Sequence, residues 1–257
     1  MDYRIAAIGD LHIWGPVPRA LFPEFETLRQ RADVLVFTGD ITNNGMLVQA
    51  ERAAELLSLA RIPIVAVMGN HDRRTLLRKP RYCAILERAG VHFLDGTTFT
   101  LDTRGASVGF AGVSGSGGGF WPDEGPDTGV RRAAQQLAIR ARREADRLDR
   151  ALQRLDTDLK VVVTHVSPTL TTLVGEPRAK FWLLGNSAFG RVVDNHGVDL
   201  VFHGHAHRGN QFGETPSGIP VCNVAHAVAR GIVIHELSPR AKPRLIHSPR
   251  MPAEARV

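Results

Sequence analysis

Apolar runs that end in glycine alternate with helix-like segments through the first 70 residues of this 257-residue chain. Runs 4–9, 33–39 and 62–69 are separated by segments 19–31 and 46–60, which look helical. This β-α-β-α-β order is typical of a mostly parallel sheet covered by helices. Continuous valine, isoleucine and alanine runs also suit strands that are buried on both faces.

The second half of the chain returns to strand-like runs. Residues 91–113 are expected to form short strands, and 160–168, 198–207, 219–225 and 230–237 are expected to complete a sheet. Because helix-like segments lie between many of these runs, the pattern predicts the α/β class.

Three other segments differ in composition from these runs. The glycine-rich stretch 114–129 is too long for a plain connection, so it is predicted to be functional or mobile. Residues 130–155 carry an apolar stripe opposite arginines, which predicts an amphipathic covering helix. The Pro- and Arg-rich stretch 238–257 is expected to be a peripheral C-terminal extension. No repeat or linker is apparent, so residues 1–257 are expected to form a single domain.

Cysteine content and charge limit the compartment and the partners. Cys83 and Cys222 are far apart, which excludes a cysteine-rich zinc module and favours a reducing compartment. The N-terminus shows no signal-peptide pattern and no apolar run reaches about 18 residues, so a cytoplasmic location without a membrane partner is expected. The excess of 32 Lys and Arg over 26 Asp and Glu indicates either an anionic partner or solvated arginine faces.

Potential metal ligands fall at or just past the ends of the predicted strands. In an open α/β sheet, this carboxyl edge is where binding sites form. The candidate ligands are Asp10, His12, Asp40, Asn70, His165, His205 and His207. Seven donors exceed the needs of one ion, but they fit two ions if a carboxylate bridges. Mixed imidazole and carboxylate ligation favours Zn, Fe or Mn over Ca or Mg. Two such ions about 3.5–4 Å apart can clamp a phosphoryl group and acidify a shared water.

Five short blocks carry these residues in a fixed order. They read "GDLH", "GDITNNG", "GNHD", "TH" and "GHAH", and they run from residue 9 to residue 207. In this order they resemble the calcineurin-like metallophosphoesterase family, and most closely its small bacterial phosphodiesterase-type branch. The resemblance implies a four-layer α/β/β/α sandwich with two mixed sheets.

The resemblance also implies a role for each matched position. The first metal would be held by Asp10, His12 and His207, and the second by Asn70, His165 and His205. Asp40 would bridge the two metals. His71 would face the substrate phosphate, as general acid to the leaving oxygen or as a charge stabiliser. Gly69 and Gly204 would let the backbone pass close to the metals.

The second block departs from that of the family's protein serine/threonine phosphatases. Those enzymes carry an acidic residue and an arginine where this chain has Asn43 and Asn44. The difference argues against protein phosphatase activity and favours a phosphodiesterase, because a diester phosphate carries less charge. Asn43 is a candidate to bind a substrate oxygen, and the alternative is a turn asparagine.

Further substrate contacts are expected from cationic and aromatic side chains. Arg73 and Arg208 follow two of the blocks and are candidates to bind phosphate, with a solvated surface role as the alternative. Phe120 and Trp121 are candidates to stack on a base or shield the site, or else they pack back onto the fold. Asp72 is expected to support its neighbours through hydrogen bonds.

The most favoured function is a dinuclear-metal phosphodiesterase that hydrolyses a small phosphate ester through a metal-bridging hydroxide. A metal-dependent nuclease is an alternative, but no second DNA-binding module is apparent. A non-catalytic scaffold is less favoured, because such proteins lose ligands and this chain retains them all. His203 precedes the last block and is expected to be a core or supporting histidine. The sequence leaves the ester, the metals and the oligomeric state open.

Overall fold

The computed structural model describes residues 2–103, 105–120, 131–239 and 241–249. Two mixed sheets of six strands each lie face to face, and helices cover both outer faces. The arrangement is the α/β/β/α sandwich predicted from the sequence. Among the described residues, no helix has both the length and the apolar character needed to cross a bilayer.

The first sheet holds most of the N-terminal strands. Its strands in spatial order are β12 (Ala241–His247), β11 (Val233–Ser238), β1 (Tyr3–Ile8), β2 (Val34–Phe37), β3 (Ile64–Ala66) and β4 (Val91–Phe93). β1 to β4 are mutually parallel, whereas β11 and β12 are antiparallel to their neighbours. The carboxyl ends of β1, β2 and β3 therefore lie along one edge.

The second sheet is built from the middle of the chain and from the run before β11. Its strands in spatial order are β5 (Thr97–Thr103), β6 (Ala106–Val113), β7 (Leu159–Thr164), β8 (Leu200–His203), β10 (Pro220–Asn223) and β9 (Phe212–Glu214). β6, β7, β8 and β10 are parallel, and the two edge strands are antiparallel.

Helices form the outer layers, and short helices also lie within the connections between strands. They are α1 (Leu21–Glu26), α2 (Leu28–Arg31), α3 (Leu47–Ser58), α4 (Lys79–Glu87), α5 (Arg131–Gln153), α6 (Phe181–Leu184), α7 (Ser187–Asn195) and α8 (His226–Ala229). Short 3-10 helices span Asp72–Arg78, Thr171–Leu173 and Arg178–Lys180. The predicted covering helix is thus observed as α5, with Ala145 and Leu148 buried against the second sheet.

Apolar packing between the sheets fixes their separation. Val36 and Val65 of the first sheet lie in one buried cluster with Phe110, Val163 and Phe202 of the second. Central strands such as β2 and β7 are buried along almost their whole length, as their continuous apolar runs predicted. This double burial holds the carboxyl ends of strands from both sheets beside one another.

Two C-terminal predictions differ from the structure. The run 230–237 was expected in the same sheet as 219–225, but β11 pairs antiparallel with β1, with Tyr3 opposite Leu237. An apolar run records burial and not the identity of the paired strand, so the sequence did not distinguish the two sheets. The described part of 238–257 also contributes β12 to this sheet, with Pro243 in an edge strand, where proline is tolerated.

Candidate metal centre

The candidate ligands lie on loops whose backbone is strained. Asp10, His12, Asp40 and His205 have φ values of 57°, 46°, 51° and 66°. They are four of the six non-glycine residues with positive φ in the described part of the chain. Such conformations are costly and concentrate at functional sites, because the surrounding structure must hold them in place. The positive φ values therefore mark these loops as a candidate functional site.

Two glycines allow this path, and they are the two that the family resemblance singles out. A Cβ atom at Gly69 would lie 2.0 Å from Asp40 Oδ1, and one at Gly204 would lie 2.1 Å from Asp10 Oδ2. Neither position can therefore carry a side chain while the carboxylate keeps its place. The close approach is to the candidate ligands themselves.

The first ligand cluster contains Asp10, His12 and His207, whose ligand atoms all lie within 4.8 Å of one another. His207 Nε2 is 3.0 Å from Asp10 Oδ1, and His12 Nε2 is 3.9 Å from the same oxygen. The His205 backbone N–H donates to Asp10 at 3.1 Å, which ties the end of the second sheet to the end of the first. The structure thus brings the three predicted ligands of the first metal together.

The second cluster contains Asp40, His165 and His205 within the same limit. His165 Nδ1 donates to the Thr38 carbonyl at 2.8 Å, so in the neutral ring Nε2 is an acceptor. That nitrogen faces Asn70 Oδ1 at 2.9 Å and Asp40 Oδ2 at 3.5 Å, and both of these atoms are also acceptors. Three converging acceptors are an arrangement that a cation satisfies.

Asp40 joins the two clusters. Its Oδ2 lies 3.6 Å from His12 Nε2 in the first cluster and 3.5 Å from His165 Nε2 in the second. Both ring nitrogens of His12 are buried without a hydrogen-bond partner in the described structure, although such groups are normally paired. The donor set of imidazoles, carboxylates and one amide therefore fits a pair of transition-metal ions.

Burial and mutual contact shift the pKa values of these groups. Burial lowers the pKa of His205 to about 3 and that of His12 to about 4, so both rings are neutral near pH 7. Burial raises the pKa of Asp40 to about 6. Burial also acts to raise the pKa of Asp10, but the His207 hydrogen bond and nearby imidazoles lower it overall, and the same bond raises the pKa of His207. Neutral imidazoles are the form that binds metal.

His71 lies on the open side of the clusters. Its backbone N–H donates to Asp40 Oδ1 at 2.8 Å, and its Nδ1 donates to the Asn43 carbonyl at 2.5 Å. Its Nε2 is 4.0 Å from Asp40 Oδ2. Its ring packs edge-on against the His12 ring, with 4.6 Å between the ring centroids. His71 thus lies near both clusters, and the ring nitrogen that does not bond to the Asn43 carbonyl is Nε2. The contact that the structure shows for Asn43 is made by its main chain.

Asp72 binds the second and third blocks together, as expected of a supporting residue. The carboxylate is fully buried and accepts from the backbone N–H groups of Ile41, Thr42 and Gly69 at 3.1, 2.8 and 3.0 Å. It also accepts from the Tyr82 hydroxyl at 2.6 Å. These hydrogen bonds tie the loop that follows Asp40 to the backbone immediately before Asn70.

Two supporting groups were not predicted from the sequence. They are the Thr38 carbonyl, which orients His165, and the Tyr82 hydroxyl, which bonds to Asp72. Thr38 stands two residues before Asp40, so its place directly before the second block is a usable signal. Tyr82 belongs to no block, and only the packing of α4 brings it to the site.

His203 is a supporting histidine, as expected. It is fully buried on β8, its Nδ1 donates to the Gly204 carbonyl at 2.7 Å, and its Nε2 accepts from Thr172 Oγ1 at 2.8 Å. Both ring nitrogens are thereby satisfied within the protein. His203 consequently has no free lone pair for a metal, in contrast to His12.

The predicted substrate contacts have different surroundings. Arg73 Nη1 pairs with Glu144 of α5 at 3.3 Å, and its side chain lines a cleft beside the second cluster. Arg208 is exposed, and its backbone N–H donates to Glu176 at 2.7 Å. Trp121 lies outside the described residues.

Phe120 packs onto the fold, which was the alternative to stacking on a substrate. Its side chain is buried in a small cluster with Leu173, Phe181 and Leu184. The interaction fixes the segment that carries α6 above the second sheet. Part of that segment forms one wall of the cleft.

The cleft beside the second cluster has a volume of about 550 Å³. Asn70, His165 and His205 lie at its base, and Arg140 and Lys180 are among the residues of its walls. Neither cation was predicted to approach the site, because the arginines of α5 resemble those of any solvated helix face.

A four-layer sandwich that carries this ligand set at the carboxyl ends of its strands defines the metallophosphoesterase class of fold. The chain belongs to the calcineurin-like phosphoesterase family, whose model matches residues 3–209. A comparison with curated protein sequences gives no match.

Two solved structures illustrate the similarity in fold. The phosphopantetheinyl hydrolase of Mycobacterium tuberculosis is 16% identical with a TM-score of 0.65, over 88% of this chain and 90% of that one. The protein TT1561 of Thermus thermophilus is 17% identical with a TM-score of 0.59, over 95% of this chain and 98% of that one. At these identities the likeness shows the shared fold alone.

Proposed function

We propose that this protein is a metal-dependent phosphodiesterase with a dinuclear centre. One observation carries the proposal, which is that Asp40 lies within 3.6 Å of imidazole nitrogens from two separate ligand clusters. A carboxylate shared in this way is suited to bridge two ions. Membership of the phosphoesterase family supports hydrolysis of a phosphate ester as the reaction.

The chain offers a complete ligand set for each ion. Asp10, His12 and His207 would hold one ion, Asn70, His165 and His205 would hold the other, and Asp40 would serve both. Bound Zn, Fe or Mn would acidify a water molecule and offset the negative charge of the phosphate.

His71 is proposed to transfer a proton to the leaving oxygen. Its Nδ1 donates to the Asn43 carbonyl, so the ring orientation is fixed and Nε2 is the atom that exchanges a proton with the substrate. Its side chain is 25% exposed, which gives a substrate access to it. In its protonated form the ring would also stabilise the negative charge that develops on the phosphate.

A diester is favoured over a monoester by the second block. Asn43 and Asn44 stand where the family's protein phosphatases carry an acidic residue and an arginine, so the arginine that would bind a dianionic phosphate is missing. Asn43 is still proposed to contact substrate with its side chain, and Arg73, Arg208 and Trp121 remain proposed contacts. A nuclease is the alternative enzyme. The free cysteines Cys83 and Cys222 support a reducing compartment such as the cytoplasm.

The test uses purified chain reconstituted with Mn²⁺ and assayed on bis(p-nitrophenyl) phosphate, an alkyl diester, p-nitrophenyl phosphate and single-stranded DNA. Turnover of both diesters above the monoester is expected. His71→Ala should lower kcat on the alkyl diester by about a hundredfold or more, because an alkoxide needs protonation. The loss should be smaller with p-nitrophenolate, which leaves unprotonated.

Metal content separates the two roles that are open to His71. The His71→Ala chain should retain the metal content of the wild type, and the exposed His92→Ala should change neither metal content nor rate. Equal loss of metal and activity in His71→Ala would identify His71 as a ligand. Failure of the metal-loaded wild type to cleave any ester would refute the proposed function.

A further inference from the structure

The cleft beside the second ligand cluster extends away from the candidate metal centre. It is lined by Asn70, His165 and His205, by residues of α5, and by the segment before and within α6. A volume of about 550 Å³ lies within the range of sites for small organic molecules. The phosphate bound at the metals would therefore have its organic group in this space.

The walls of the cleft combine apolar surface with positive charge. Leu137 and Arg140 are one helical turn apart on α5, so they share a face, and both line the cleft. Lys180 immediately precedes α6, whose Leu183 and Leu184 also line the cleft. The leucines suit an apolar or flat organic moiety, and the two cations come from separate elements.

The cations of the cleft differ in whether they are paired. Arg73 pairs with Glu144 at 3.3 Å, so its charge is partly satisfied within the protein. Arg140 and Lys180 are exposed, and neither forms an ion pair with any residue that the structure describes. Two unpaired cations facing one cleft from separate elements are available to an anionic ligand.

We propose that the substrate carries a second anionic group, remote from the scissile phosphate, that Arg140 and Lys180 bind. This inference rests on the proposed function, because it places the scissile phosphate at the metal ligands. The substrate class is then a small phosphodiester whose organic part bears a further phosphate or carboxylate. Arg140 and Lys180 act as specificity-determining residues and take no part in the bond cleavage.

A matched pair of substrates tests the proposal. Thymidine 5′-(p-nitrophenyl phosphate) and its 3′-phosphorylated form have the same scissile bond and differ by one remote phosphate. With Mn²⁺-loaded wild type, kcat/KM should be about tenfold higher for the 3′-phosphorylated form, as expected for one charge-assisted contact. The higher kcat/KM should arise mainly from a lower KM, because the remote group is bound equally in the ground state and the transition state.

Variants locate the source of the preference. Arg140→Ala/Lys180→Ala should bring the ratio of the two kcat/KM values close to one, with little change for the substrate that lacks the remote phosphate. Arg81→Ala/Arg88→Ala removes the same charge from α4 and its C-cap and should leave the ratio unchanged, since α4 lies on the other sheet. Thermal melts that match the wild type would verify folding, as expected for exposed side chains.

Binding provides a readout that does not depend on turnover. Calorimetric titration with thymidine 3′,5′-bisphosphate and thymidine 5′-monophosphate should show the same preference in the wild type and its loss in Arg140→Ala/Lys180→Ala. Equal affinity for the two nucleotides, or a preference that survives the double substitution, would overturn the inference. A preference in binding without cleavage of either ester would refute the phosphodiesterase while the anion site stands.

Discussion

The two sheets contribute different chemistry to the candidate metal centre. The first sheet provides both carboxylates, Asp10 and Asp40, together with His12 and Asn70, whereas the second provides imidazoles alone. Asp10 and His165 are each held by the other sheet's backbone, because Asp10 accepts from the His205 N–H and His165 donates to the Thr38 carbonyl. Neither sheet alone can form the site, so metal binding and the packing of the sheets are expected to depend on each other.

Asp72 provides a contrast within the first sheet. Its hydrogen bonds go to loops that follow β2 and β3 and to α4, with no contribution from the second sheet. Asp72 is therefore a structural anchor, whereas Asp40 stands where the two sheets meet.

The largest effect is expected for Asp40→Asn, which removes the charge shared by the two clusters. Activity on a diester should fall by about a thousandfold or more, beyond the ten- to hundredfold loss typical of residues that only support ligands. Elemental analysis should show fewer than two ions per chain. The exposed Asp95→Asn is the matched control. Full metal content in Asp40→Asn would show that the two halves bind ions independently and would break the comparison.

A smaller effect, on stability, is expected for Asp72→Ala. Its loss leaves several buried donors unpaired, so the free energy of unfolding should fall by about 3 kcal/mol. Urea denaturation in the presence of a chelator measures this loss of stability without any contribution from metal binding. Asp95→Ala breaks only exposed ion pairs with Lys79 and Arg147 and should cost less than about 1 kcal/mol. Equal losses in the two variants would remove the structural role assigned to Asp72.

The smallest effect concerns a histidine between the sheets that lies outside the site. His235 on β11 packs against Phe202, and both of its ring nitrogens are buried without a hydrogen-bond partner in the described structure. Burial lowers its pKa from 6.5 to about 4, so the unfolded chain binds a proton that the folded chain does not. Stability should thus fall as pH decreases from about 6.5 towards 4.

His235→Phe is expected to remove that component of the pH dependence. Between pH 6.5 and 5 the wild type should lose about 1.5 kcal/mol more than the variant. Urea denaturation at each pH measures the difference, and His92→Phe, at an exposed position, serves as control. Parallel pH profiles for wild type and His235→Phe would mean that this ring is not held neutral between the sheets.

The fold was predictable where the sequence has local periodicity. The runs that became β1, β2 and β3 and the stripe that became α5 were all apparent, because burial imposes a period on the chain. The sheet that β11 joins was not apparent, since either sheet offers an apolar surface. β12 was missed because proline and arginine are tolerated in an edge strand.

The candidate site was predictable where short blocks carry its residues. The structure brings Asp10, His12 and His207 together, and likewise Asp40, His165 and His205. The cleft was not predictable in the same way. Arg140 and Lys180 are 40 positions apart and line one cleft only because α5 and the residue before α6 both fold beside it.

The most direct test is a crystal structure of the Mn²⁺-reconstituted protein with anomalous scattering at the metal edge. Two peaks are predicted about 3.5–4 Å apart, as in other two-metal sites. One should contact Asp10, His12 and His207, the other Asn70, His165 and His205, with Asp40 on both. A single peak, or peaks outside these residues, would contradict the account.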